Sequence, residues 1–116
     1  MITTHVLDTA RGIPAAGVKI EIHRVKFDGT MELLKSSETN DDGRSAEALV
    51  STDELREGVY QITFFIGRYF ESTSSNENTS VFIDQVPVRF TVSNTSSHYH
   101  VPLLASPYGY TTYRGS

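Results

Sequence analysis

The side chains best suited to chemistry in this sequence are its histidines, since the chain has four histidines and no cysteine. His98 and His100 stand two residues apart in a segment typical of a strand, so both should project from one face of a sheet. Histidine takes up and releases a proton near neutral pH, which suits acid–base catalysis. Two imidazoles at this spacing are compatible with a shared metal ion, a shared substrate or plain solvation, and the pattern leaves these three open.

Three further ionisable side chains have neighbours in the sequence that indicate no special function for them. His5 lies near the start of a short strand-like segment, where a lone histidine usually packs or faces solvent. Arg44 follows an acidic turn at residues 41–43 and would ordinarily be a turn cation. His23 lies in the middle of an alternating segment, on its polar face, so we expect a solvated surface side chain.

The segment Ser106–Ser116 is rich in tyrosine and ends in Tyr-Arg-Gly-Ser instead of a polar tail. Chain ends are usually poorly ordered unless contacts hold them. The tyrosines therefore indicate that the last residues pack against the rest of the domain. Composition alone assigns them no function.

Strands are the elements that must position these groups. Alternating or β-branched segments predict strands at residues 4–8, 18–25, 59–66, 86–92 and 98–104. Pro87 favours a sheet edge for its strand. A short helix is expected near residues 67–72, followed by a mobile polar loop. Strands at this spacing without a long helical pattern favour an antiparallel β-sandwich.

Composition excludes several classes of protein. With 116 residues, the chain fits a single domain over residues 1–116. A net charge of −4 without clustered lysine or arginine argues against a nucleic-acid partner. No apolar run approaches the length of a membrane span, and no export signal is recognisable, so we expect a cytoplasmic protein with no membrane partner. The lack of cysteine removes thiolate metal sites and cysteine nucleophiles.

Both ends of the chain resemble the transthyretin-like family. Residues 5–15 are similar to its opening, and residues 98–116 resemble the closing signature of its enzymatic branch, the 5-hydroxyisourate hydrolases. Leu55–Tyr60 resembles the family's turn into its central strand. The resemblance implies an all-β, transthyretin-like (prealbumin-like) antiparallel β-sandwich of seven to eight strands with one short helix.

The resemblance also implies an activity: hydrolysis of 5-hydroxyisourate to 2-oxo-4-hydroxy-4-carboxy-5-ureidoimidazoline in urate catabolism, by attack of water on a ring acyl carbon. It implies a homotetramer, a dimer of dimers with sites where the dimers meet, and no metal or other cofactor. Its implied catalytic residues are His5, Arg44 and His100, and its implied substrate-binding residues are Tyr113, Arg114, Ser116 and His98.

Three other functions remain open at this point. A small-ligand carrier of the same fold would use the same channel without catalysis, although ionisable side chains suit such a site poorly. A metal-binding β-sandwich would use His5, His98 and His100 as ligands. An interaction domain would be insensitive to any single histidine or arginine substitution.

Overall fold

The computed structural model describes residues 1–73 and 81–116. Within these residues the chain forms eight strands and one helix. They are β1 (Ile2–Asp8), β2 (Ile13–Pro14), β3 (Lys19–Val25), β4 (Met31–Glu38), β5 (Gly58–Phe64), α1 (Ile66–Thr73), β6 (Val86–Val92), β7 (Tyr99–Ser106) and β8 (Gly109–Thr112). The predicted short helix is confirmed, whereas the mobile loop predicted after it falls on residues outside the described part of the chain.

The strands form two four-stranded sheets. Sheet A has the order β2-β1-β7-β8, and sheet B has the order β4-β3-β5-β6. Every pairing is antiparallel except that of β1 with β7, which run parallel from Ile2 opposite Tyr99 to Asp8 opposite Ala105. The sandwich is therefore as predicted, with one parallel pair that an antiparallel pattern does not anticipate.

Alternation along strands such as β1 determines which of their side chains enter the core. In β1 the even-numbered residues are buried and the odd-numbered ones are half-exposed, so Thr3 and His5 share the outer face of sheet A. The core between the sheets is built from aliphatic and aromatic side chains such as Val6, Ile20, Ile22, Tyr60, Ile62, Phe64, Val101 and Leu103. Burying one such aliphatic side chain contributes about 1.5–3 kcal/mol, so the alternation holds the outer face firmly in place.

Three strands were not predicted from the sequence, namely β2, β4 and β8, and one histidine differs from its expectation. β4 and β8 have no clear alternation, and β4 is an exposed sheet edge. β6 is also an edge strand, as Pro87 indicates. The prediction that His23 is solvated is wrong: the residue is half-buried, and its buried Nδ1 has no hydrogen-bond partner among the residues that the structure describes. It lies at a register shift between β3 and β4, where Leu33 and Gln61 flank it.

Asp8 anchors the end of β1 although it is a completely buried carboxyl group. Its Oδ1 accepts hydrogen bonds from the backbone N–H groups of Ala10 and Arg11, and its Oδ2 accepts one of 2.8 Å from the Tyr69 hydroxyl of α1. Burial, and then this hydrogen bond to Asp8, raise the pKa of Tyr69 to about 12. The helix is thus tied to the strand that carries His5. No helix in the described ranges is long and apolar enough to cross a membrane.

Replacing Tyr69 with phenylalanine should lower the free energy of unfolding by about 1–3 kcal/mol, because Asp8 then keeps a buried, unpaired oxygen. The loss should be measured by urea unfolding near neutral pH. Since the folded pKa exceeds the ordinary value of about 10, the wild-type advantage should be complete below that pH and fade above it. Tyr108→Phe is the matched control, because Tyr108 is 69% exposed. Equal stability of the two variants would contradict this role of Tyr69.

Candidate active site

The histidines of β1 and β7 meet on the outer face of sheet A. Thr3 lies directly opposite His100 in the parallel pairing, and His5 projects from the same face two residues further along β1. The rings of His98 and His100 lie edge to face, with their centroids 6.3 Å apart. The shared face that their two-residue spacing predicts is therefore observed.

The Thr3 side chain connects these two rings. Its Oγ1 lies 2.7 Å from Nε2 of His98 and 2.8 Å from Nδ1 of His100. A hydroxyl can donate one hydrogen bond and accept others, so both contacts can be satisfied together. The ring of His100 is thereby oriented by its Nδ1, and its Nε2 has no hydrogen-bond partner within the described ranges.

Arg44 reaches this face because a tight turn folds back against β1. The Asn40 side-chain oxygen accepts hydrogen bonds from the backbone of Asp42 and Arg44, and Val6 N–H donates to the Gly43 carbonyl at 2.8 Å. Gly43 has a φ of 76°, and a Cβ there would lie 2.5 Å from the Val6 oxygen, so only glycine fits. The turn places Arg44 beside His5 in an isolated antiparallel bridge.

The segment after Arg44 forms a wall beside the histidines. Ile2 exchanges backbone hydrogen bonds with Leu49 and Val50, which holds this segment along the start of β1. A cleft of roughly 470 Å³ lies between the wall and the sheet. It is lined by Met1, Thr3, Thr4, Arg44, Ser45, Ala46, Glu47, Ala48, His98, His100 and Ser116. Thr3 and residues 45–48 are not predicted as site residues by any pattern in the sequence, although Thr3 lies on the same strand face as His5.

The final residues return to β7 and close one side of His100. The Gly115 N–H donates to the His100 carbonyl at 2.7 Å, and a Cβ on Gly115 would lie 2.6 Å from Cδ2 of the imidazole. A side chain at this position would therefore have to displace the imidazole ring. Ser116 consequently lines the cleft beside the histidine.

Tyr113 and Arg114 are not among the residues that line this cleft. The Arg114 guanidinium carbon is 4.4 Å from the centroid of the Tyr99 ring, and the group donates to the His98 carbonyl at 3.3 Å. Both residues line a separate apolar groove together with Val88 and others. Of the residues implied by the resemblance, His98, His100, Arg44 and Ser116 line one cleft and His5 adjoins it, while Tyr113 and Arg114 do not.

The electrostatics of the cleft favour neutral imidazoles. Burial, followed by the charges of Arg44, His98 and His5, lowers the pKa of His100 below its ordinary value. Burial and Arg44 also lower the pKa of His5, against an opposing effect of Asp42. The histidines are therefore available as proton acceptors at neutral pH, beside the cation Arg44.

This arrangement can activate water next to an anionic or polarised group. An unprotonated imidazole accepts the proton of water, and a guanidinium stabilises the oxyanion that the attack creates. Within residues 1–73 and 81–116, no set of three histidine or carboxylate side chains is grouped closely enough to hold a metal ion. The described geometry therefore offers acid–base and electrostatic groups as its chemical resources.

Comparison with known proteins gives matches along the whole chain. A sequence model of the HIUase/transthyretin family matches residues 2–115. The 5-hydroxyisourate hydrolase of Pseudomonas aeruginosa is 45% identical over 115 residues, covering 99% of this chain and 90% of that protein. The structure of Klebsiella pneumoniae 5-hydroxyisourate hydrolase gives a TM-score of 0.80 at 31% identity, covering 99% and 98% of the two chains. Transthyretin from Sparus aurata gives a TM-score of 0.86 at 24% identity, covering 98% and 95%, which indicates a shared fold alone.

Proposed function

The chain belongs to the HIUase/transthyretin family, and we propose that it hydrolyses 5-hydroxyisourate in the cleft on the outer face of sheet A. The family, the transthyretin-like fold and the hydrolase activity expected from the sequence are confirmed by relatives that match nearly the full chain. The observation that carries the choice of cleft is that His100 and Arg44 line one open space, with His5 beside Arg44 at its border. The product is 2-oxo-4-hydroxy-4-carboxy-5-ureidoimidazoline, formed in urate catabolism.

His100 is the general base of the proposed mechanism. Its free Nε2 takes a proton from water as the water attacks a ring acyl carbon of the substrate. The bond from that carbon to the ring nitrogen then breaks, and the nitrogen receives a proton from an imidazole. His5, which also has a lowered pKa, is the second imidazole available for these proton transfers. No covalent intermediate is needed.

Arg44 supplies the electrostatic part of the mechanism. Its side chain makes no hydrogen bond or ion pair to the described residues, and the residue is exposed at the mouth of the cleft. A guanidinium presents several donors in a fixed plane, which suits a planar anionic substrate and the oxyanion formed from it. Its charge also lowers the pKa of both neighbouring histidines, so it keeps the base unprotonated.

The remaining site residues are proposed to bind substrate. His98 and Ser116 line the cleft directly, and Tyr113 and Arg114, which line a separate apolar groove, would close the pocket. The proposed assembly is a homotetramer, a dimer of dimers, as the family resemblance implies. The cleft is open on an outer sheet face, and this supports burial of the face by another copy. A cytoplasmic location is likewise proposed.

The activity can be tested directly with freshly made substrate. Urate oxidase converts urate to 5-hydroxyisourate, and the decay of its ultraviolet absorbance is followed with and without this protein. We expect decay far faster than the spontaneous reaction, and saturation with substrate. A carrier of the same fold would instead bind the compound and leave its decay rate unchanged, and that result would overturn the proposal.

The pH dependence of turnover follows from the lowered pKa values. A base is lost when it is protonated, so kcat/KM should fall on acidification. Because burial and Arg44 lower the pKa of His100, the midpoint of this acidic limb should lie below about 6.5, the value of a free imidazole. The profile is measured from pH 4 to 8 (roughly the range in which histidine titrates) after subtracting spontaneous decay in each buffer. A midpoint above that value would contradict the assignment of a neutral imidazole as base.

A further inference from the structure

The position of Thr3 constrains the protons on His98, which directly precedes β7, and on His100 of β7. Its hydroxyl carries one proton and lies within hydrogen-bond distance of Nε2 of His98 and Nδ1 of His100. When it donates to one ring, it must accept from the other, so one of the two facing nitrogens carries a proton and the other does not. The tautomers of the two imidazoles are therefore coupled through a single oxygen atom.

We propose that Thr3 is a positioning residue whose hydroxyl relays a proton between His100 and His98, an inference that rests on the proposed function. In the resting state, His100 Nδ1–H donates to Oγ1 of Thr3, and the Thr3 hydroxyl donates to Nε2 of His98. This arrangement places the proton of neutral His100 on Nδ1. Its Nε2 is left with a free electron pair, which is the form a general base requires.

The relay then moves charge without consuming or creating protons. His100 Nε2 takes one proton from the attacking water and becomes an imidazolium. Its Nδ1 proton passes to Oγ1 of Thr3 as the original hydroxyl proton passes to Nε2 of His98. His98 is now the imidazolium, and neutral His100 carries its proton on Nε2. Reversal of the same two transfers returns the charge to His100, and its imidazolium gives the Nε2 proton to the departing ring nitrogen, which restores the resting state.

The surroundings of the two rings favour this direction of transfer. His100 is half-buried, and the charges of Arg44 and His5 oppose a second positive charge there. His98 is exposed to solvent, which stabilises its charged form. Glu47 on the cleft wall is the acidic side chain of the described lining, and the Arg114 guanidinium contacts the carbonyl of His98 rather than its ring. An imidazolium is therefore better accommodated at His98 than at His100.

Removing the hydroxyl while keeping the shape tests the relay in turnover. Thr3→Val should lower kcat by about 10–100-fold, the usual cost of losing the partner that orients a functional histidine, with little change in KM. Thr3→Ser keeps the hydroxyl and should retain most of the wild-type kcat. The matched control is Thr9→Val, since the Thr9 hydroxyl also bonds across to β7, at the Ala105 carbonyl, but outside the cleft. We expect its kinetics to be those of the wild type.

The tautomer can be measured independently of activity, by ¹⁵N NMR of the imidazole nitrogens in the wild-type protein. Above the histidine titration, His100 should be protonated on Nδ1 and His98 on the nitrogen that does not face Thr3. Protonation of His100 on Nε2 under these conditions would overturn the relay even if the protein is active. A Thr3→Val variant with the kcat and the pH profile of the wild type would also overturn the relay. The NMR measurement needs no variant, so it tests the relay even if Thr3→Val does not fold. An inactive wild-type protein would instead contradict the proposed function.

Discussion

Replacing His100 with asparagine should lower kcat for 5-hydroxyisourate by about 10²- to 10⁴-fold, the usual contribution of a positioned acid–base group. Asparagine keeps a polar side chain opposite Thr3 but cannot take up a proton near neutral pH. His100 is half-buried on the outer face of β7 and contributes nothing to the core between the sheets, so the fold should persist. Turnover is measured by stopped-flow absorbance, and the assembly by size-exclusion chromatography.

His23→Asn is the matched control for this substitution. His23 lies on β3 in sheet B, away from the cleft, and it is the remaining histidine of the described sheets outside the proposed site. Its substitution should leave kcat and KM unchanged. Full activity in His100→Asn would remove this residue from the mechanism, whereas equal losses in both variants would point to a general effect on folding.

Arg44→Gln should lower kcat/KM by about 10²- to 10³-fold, because it removes the cation that faces the developing oxyanion. A second effect distinguishes this role from simple substrate binding. The charge of Arg44 lowers the pKa of His100 and His5, so its removal should move the acidic limb of the pH profile to higher pH. The measurement is kcat/KM against pH for the wild type and the variant.

Two further variants isolate the reason for this loss. Arg44→Lys keeps the charge but not the planar set of donors, so it should leave the acidic limb in place and recover only part of the activity. Arg68→Gln removes an exposed guanidinium of α1 that lies over Phe65 and should change neither quantity. An unchanged acidic limb in Arg44→Gln would show that this charge does not act on the histidines.

The sequence predicts those parts of the fold in which one strand face is buried. β3 and β6 follow the expected segments closely because burial of alternate side chains leaves a period of two in the sequence. β5 is buried on both faces along most of its length, and its β-branched and aromatic residues mark it instead. The exposed edge strand β4 lacks this mark, since most of its side chains on both faces reach solvent. Its position is determined by pairing with β3, which local patterns do not encode.

The cleft likewise combines residues that local sequence patterns predict with residues that only long-range pairing brings into place. The shared face of His98 and His100 follows from strand periodicity, but the partner that links them is Thr3, on a strand that only the long-range parallel pairing brings alongside. Arg44 has the local features of an ordinary turn residue. Its placement depends on Gly43, whose close approach to Val6 brings the turn against β1. Family resemblance supplied Arg44, whereas neither residue pattern nor resemblance supplied Thr3.

The contact between Thr3 and the histidines also has a consequence for the order of folding. It joins residues 95 and 97 positions apart in the chain, and such contacts form only after a large loop has closed. The β3–β4 hairpin can form from residues close together in the chain, but none of its residues lines the cleft. It is linked to the lining by the hydrogen bond from Lys35 to the Ala48 carbonyl. Regain of activity after dilution from denaturant therefore marks the completion of sheet A, so the substrate can serve as a kinetic reporter of the late steps of refolding.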